Sequence, residues 1–85
     1  MDIGVYRSYL KEIVKEALEN SNGTNSGISE YLHMKTVRRF LTRNRSEKLL
    51  AIEDARKAFD EHKHWPVEIV ISHLGLDPKE LPVKR

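Results

Sequence analysis

Eighty-five residues, 39% of them apolar and 33% charged, suffice for one small domain with one modest core. Cysteine is absent, which excludes disulfides, thiol catalysis and cysteine-ligated zinc. No apolar stretch is long enough to span a bilayer and the first residues show no apolar signal region, so the expectation is a cytoplasmic protein with no membrane partner.

Charge is the most informative property. Fifteen basic and thirteen acidic side chains leave a formal charge of only +2. Residues 1–34 hold three basic and five acidic groups, residues 35–48 hold six basic groups against Glu47 alone, and residues 49–85 hold six basic and seven acidic. One short segment therefore carries the whole excess, an electrostatic footprint of the kind a polyanion recognises.

In chain order, residues 5–19 place Tyr6, Leu10, Ile13 and Ala17 at helical spacing, with Lys11, Glu12, Lys15, Glu16 and Glu19 on the other side. This spacing predicts an amphipathic helix. Asn20 to Gly27, NSNGTNSG, reads as a loop, because Asn and Gly tolerate left-handed backbone and Ser, Thr and Asn bond their own backbone. Next come two apolar groups: Ile28, Tyr31 and Leu32, then Met34, Val37, Phe40 and Leu41. At about 100° per residue, one straight helix would set these groups on opposite sides. A break near His33–Met34 would bring both to one core. An unbroken helix would instead leave one side for a second copy of the chain. The break is the expectation for a monomer.

Asn44 and Glu47 have the spacing of a capping box, and a helix over about 46–62 follows, with Leu49, Ile52, Ala55 and Phe59 on its core side. Trp65–Pro66 marks a boundary. Residues 66–74 fit a helix through Val67, Val70, Ile71 and Leu74, and also alternate like a strand. Gly75, with Pro78 beyond, decides for a helix stop. Asp77–Pro78 suits one more short turn, and 75–85 reads as a loosely packed tail. The fold class expected is all-α, a single domain over 1–85 built as a bundle of four to five short helices.

Lys35, Arg38, Arg39, Thr42 and Arg43 recur at i, i+3, i+4, i+7 and i+8, opposite Met34, Val37, Phe40 and Leu41. The planar guanidinium fork binds phosphate oxygens or guanine edges at two points. Arg45 and Lys48 extend the stripe toward flanking phosphates. A short helix followed by a basic one, TNSGISEYL then TVRRFL, resembles helix-turn-helix DNA readers in general form. That motif leaves a turn of about 3–4 residues between its helices, for which His33 to Lys35 stand here without glycine.

The histidines at 33, 62, 64 and 73 do not converge by spacing, and His62 and His64, two apart on a helix, diverge. No metal or cofactor is expected. Ser8, Ser29 and Ser72 lack a nucleophile signature and no glycine-rich phosphate loop is present, so no enzyme is expected. Tyr6, Tyr9 and Tyr31 share faces with aliphatics and read as core, with Trp65 sealing a helix junction.

The functional expectation is a small regulator that binds nucleic acid through Lys35, Arg38, Arg39, Thr42, Arg43, Arg45 and Lys48. Duplex DNA is favoured over RNA, since Phe40, the one aromatic in the basic run, falls on the core side where it cannot stack a base. A homodimer would multiply the few contacts of one helix. The alternative is an inhibitor or adaptor whose stripe docks an acidic protein surface.

Overall fold

The computed structural model describes residues 3–40 and 47–83, with side chains from 36 to 40 set aside. The elements are α1 (Ile3–Asn20), α2 (Asn25–Phe40), α3 (Glu47–Glu61), α4 (Val67–His73) and a 3-10 turn over Pro78–Glu80. The described residues contain no strand, and the helical bundle expected from the sequence is the fold.

Each helix buries the side its spacing singled out, with one exception. Leu10, Ile13, Val14, Ala17 and Leu18 of α1 meet Ile52, Ala55 and Phe59 of α3, and Ala51 and Ala58 let the helices approach closely. Val70 and Ile71, neighbours in sequence, are both buried. A strand would send them to opposite faces, so the alternating pattern at 66–74 resolves as a helix. Tyr6, Tyr9 and Tyr31 pack against this core. The Tyr6 hydroxyl donates to Asp54 on α3, and burial, with that carboxylate beside it, pushes the Tyr6 pKa up to about 12.

The exception is α2. The loop is only Ser21–Thr24, because Thr24 starts the helix. Its Oγ1 accepts from the Gly27 N–H at 3.0 Å and its carbonyl from Ile28 at 2.9 Å, a side-chain cap with the first intrahelical bond. A Cβ at Gly27 would sit 2.1 Å from the Asn22 side-chain oxygen, so any larger residue there would have to displace the Asn22 side chain from its bonds to Thr24. Asn25, expected in the loop, is 5% exposed, and its amide reaches the carbonyls of His62, Lys63 and Trp65 just past α3. Ser29 bonds Asp60 farther along. These contacts run α2 antiparallel to α3.

From there α2 continues to Phe40 without the break expected near His33–Met34. The turn that a helix-turn-helix arrangement needs at 33–35 is therefore absent. Three bonds at its start and the burial of Ile28 and Leu32 hold the helix in one register.

Residues 75–83 are also not the loose tail expected. The Leu76 N–H reaches back to the Ile71 carbonyl and the Gly75 N–H to Ser72, with Gly75 at φ 82°, the left-handed helix stop that glycine favours. That stop turns Leu76 into the core. Asp77 caps the 3-10 turn through the Lys79 N–H, and Leu81 follows Leu76 inward. Lys11 of α1 bonds Glu80 at 2.9 Å across the same end.

Candidate nucleic-acid interface

An unbroken α2 resets the direction of the basic stripe. At about 100° per residue, positions 35 and 39 fall within about 20° of the Ile28 line, which faces the core. Position 37 falls on the opposite side, with position 34 about 60° from it. Met34 is 52% exposed as a result. The expectation that Met34 faces the core while Lys35 faces away is thus reversed, because the phase set by Ile28 and Leu32 continues through residue 34, and the calls on the Val37 and Arg39 side chains lie outside the described ones.

Lys35 shows what this rotation does. It is half-buried and its ammonium pairs with Glu16 of α1. The same carboxylate oxygen accepts from the Tyr31 hydroxyl at 2.7 Å, one turn earlier on α2. The Lys35 hydrogen bond, then that of Tyr31, and the fields of Lys35 and of Lys48 hold the Glu16 carboxyl below its ordinary value, against the opposing effect of partial burial. Glu16 from α1 and Tyr31 and Lys35 from α2 thus form one hydrogen-bonded charge cluster, and Lys48 in the first turn of α3 adds only its field.

Of the other expected contact residues, Arg38 and Arg39 lie on the helical backbone near the end of α2. Thr42, Arg43 and Arg45 lie outside the described residues, as does Asn44 of the expected capping box. Glu16 and Tyr31 were missed by sequence reasoning. Tyr31 and Lys35 stand at i, i+4, which flags a shared partner on one helix, but nothing local links them to position 16.

Elsewhere on the described surface, charge is balanced. Arg56 and Lys63 share a groove of about 330 Å³ between α2 and α3 with Glu30 and Asp60, and Lys63 pairs with Asp60 at 3.5 Å. The histidines behave differently from their spacing. His62 stacks on Trp65 with ring centroids 3.8 Å apart, and His73 from α4 meets both rings edge-on. His33 lines the groove of Arg56 instead. No three His, Asp or Glu side chains among the described residues gather in a way that could hold a metal ion. The Ser72 hydroxyl is spent on the Glu68 carbonyl. No helix among the described residues is long and apolar enough to cross a membrane.

No protein-family model matches this chain, and neither a curated protein nor a solved structure is significantly similar to it.

Proposed function

We propose that the protein binds duplex DNA as a small regulator, through the basic segment 35–48 at the α2–α3 end of the bundle. The observation that supports this reading is the charge map: residues 35–48 hold six basic groups against Glu47 alone, while the rest of the chain is balanced or slightly acidic. Such a segment gathers phosphates and releases their counterions. Arg38, Arg39, Thr42, Arg43 and Arg45 make the contacts, with Lys35 and Lys48 at the margins. The unbroken α2, with Met34 outward, supports a homodimer in which two such ends meet two half-sites.

The test is a fluorescence titration of mixed-sequence duplex DNA at two salt levels. Replacing Arg39 and Arg43 together by Ala should weaken binding and flatten the slope of log affinity against log salt by about 2. Lys11→Ala with Lys15→Ala on α1 should change little. Absence of duplex binding at low salt removes this reading.

A second reading, docking on an acidic protein surface, is favoured by the exposed Met34 beside the cationic end, since an apolar anchor next to charge suits a protein partner better than a phosphate backbone. Generic duplex DNA should then fail to displace the partner.

A further inference from the structure

We propose that the groove between α2 and α3 around Arg56 binds a phosphoryl group, held by the Arg56 guanidinium and the Lys63 ammonium with the Ser26 hydroxyl at its rim. The site draws no residue from the basic segment 35–48 and stands or falls apart from the nucleic-acid reading.

Spacing builds the groove. On α2, Ser26, Ser29, Glu30 and His33 recur at i, i+3, i+4 and i+7, and Arg56, Asp60 and Lys63 recur at i, i+4 and i+7 along α3 and the turn after it. Antiparallel packing sets the two polar lines against each other over about 330 Å³, at the small end of the range for small-molecule sites.

One cation in this groove has no counterpart. Arg56 is half-buried, and its Nε is shut away from solvent without an acceptor. Among the described residues its guanidinium makes no hydrogen bond and no ion pair, although two carboxylates line the same groove. Asp60 is already engaged, since its Oδ1 accepts from the Ser29 hydroxyl at 3.3 Å and pairs with Lys63 at 3.5 Å. Glu30 is exposed and forms no ion pair with Arg56. The charges of the groove therefore balance in number but not in pairing. Buried polar groups are as a rule bonded, and a guanidinium partly stripped of water gains more from an anion than a solvated one does.

The chemistry selects phosphate. Packing around Nε seats the planar fork, so the terminal nitrogens are the edge offered to a ligand, in the two-point form that suits phosphate oxygens. The Lys63–Asp60 pair has side chains 52% and 51% exposed, and a pair so open to water is weak enough for the ammonium to turn to a stronger anion. A phosphate monoester brings a charge of about −1.5 to −2 at neutral pH and three acceptor oxygens. A carboxylate brings one charge to a groove that already holds two acids.

The experiment titrates isotope-labelled protein with inorganic phosphate, and with acetate and chloride at matched ionic strength and pH, and follows nuclear magnetic resonance shifts. With phosphate, the amides of Ser26, Ser29, Arg56 and Lys63 and the Arg56 Nε–H signal should move along one saturating curve. Arg56→Ala should raise the midpoint by about tenfold, the loss of a charge-assisted contact. Arg56→Lys, which keeps the charge and loses the fork, should raise it nearly as much, and Glu30→Gln should lower it. Arg39→Ala with Arg43→Ala should leave it where it is.

Equal shifts with chloride reduce the effect to ionic strength, and equal midpoints for acetate and phosphate remove the phosphoryl assignment. If the Arg39 and Arg43 variant abolishes the groove shifts, the phosphate sits on the basic segment and the groove site is wrong. If Glu30→Gln and Arg56→Ala lower the melting temperature equally and the double variant lowers it no further, Arg56 is paired with Glu30 in solution and has nothing left for a ligand. Duplex titrations of the Arg56 variants keep the two readings distinct, since the DNA reading predicts no change from Arg56→Lys.

Discussion

The two halves of α2 obey one helical geometry and are held by different physics. In the first half, Thr24 caps the start, Asn25 reaches the end of α3, and Ile28 and Leu32 are wholly buried. In the second half, Met34 stands out in solvent and Lys35, on the core-facing line, meets a carboxylate instead of an aliphatic side chain. After Leu32 the next described residue on the core-facing line, Lys35, is charged.

The sharpest way to break this comparison is to truncate one apolar side chain in each half. Leu32→Ala should cost about 2–5 kcal/mol of unfolding free energy, the range for a large aliphatic lost from a close-packed core. Met34→Ala should stay within about 0.5 kcal/mol. Urea melts of the two variants decide it, and similar losses would mean that the α2 phase is wrong.

A middle-sized effect is expected at Asn25. Alanine there removes the amide that bridges the carbonyls of His62, Lys63 and Trp65 past α3, at a cost of about 1–3 kcal/mol. Aspartate, which has the shape but cannot donate when ionised, should not rescue the loss. An intact melting curve for Asn25→Ala would show that the start of α2 is held by burial alone.

The smallest effect belongs to the charged half. The Glu16 carboxyl lies below its ordinary value of 4.5 in the folded protein, mainly through Lys35. A lowered folded pKa stabilises above the unfolded value, and that increment is lost as pH falls through the folded one. Wild type should therefore lose less than about 1 kcal/mol from this pair on acidification below about 4.5, a small figure because the pair is partly exposed. Glu16→Gln should lack that part of the pH dependence, and added salt should shrink it in wild type. A pH profile identical in both proteins would remove the ion pair from the account of this half.

Much of this could be read from local pattern. The α1 core residues, the Ile52, Ala55 and Phe59 side of α3, the helix at 67–73 and its stop at Gly75 all follow from spacing and from one glycine. Thr24 illustrates a local signal that was present and outvoted: it is a good cap, set in a run of Asn, Ser and Gly that reads as loop. Leu76 and Leu81 were out of reach, because two isolated leucines in a polar tail have no period, and only the turn at Gly75 aims the first of them inward. At the candidate site, the charge excess at 35–48 and Lys35 and Lys48 within it were legible, and the roles of Glu16 and Tyr31 were not.

By itself the sequence determined where α1, α3 and α4 lie, which side of each of them is apolar, and where the positive charge is concentrated. These follow from the angle per residue and from composition, and both are local. Only the tertiary structure decided the phase of α2. Periodicity defines a face within each apolar group but not whether the backbone restarts between two groups that disagree. That choice is made by how many bonds and buried contacts one register secures, and here the cap at Thr24, the reach of Asn25 and the burial of Ile28 and Leu32 secure the first. The same packing brought Lys35 to Glu16 and His73 to His62, pairings between residues many positions apart that no local rule contains.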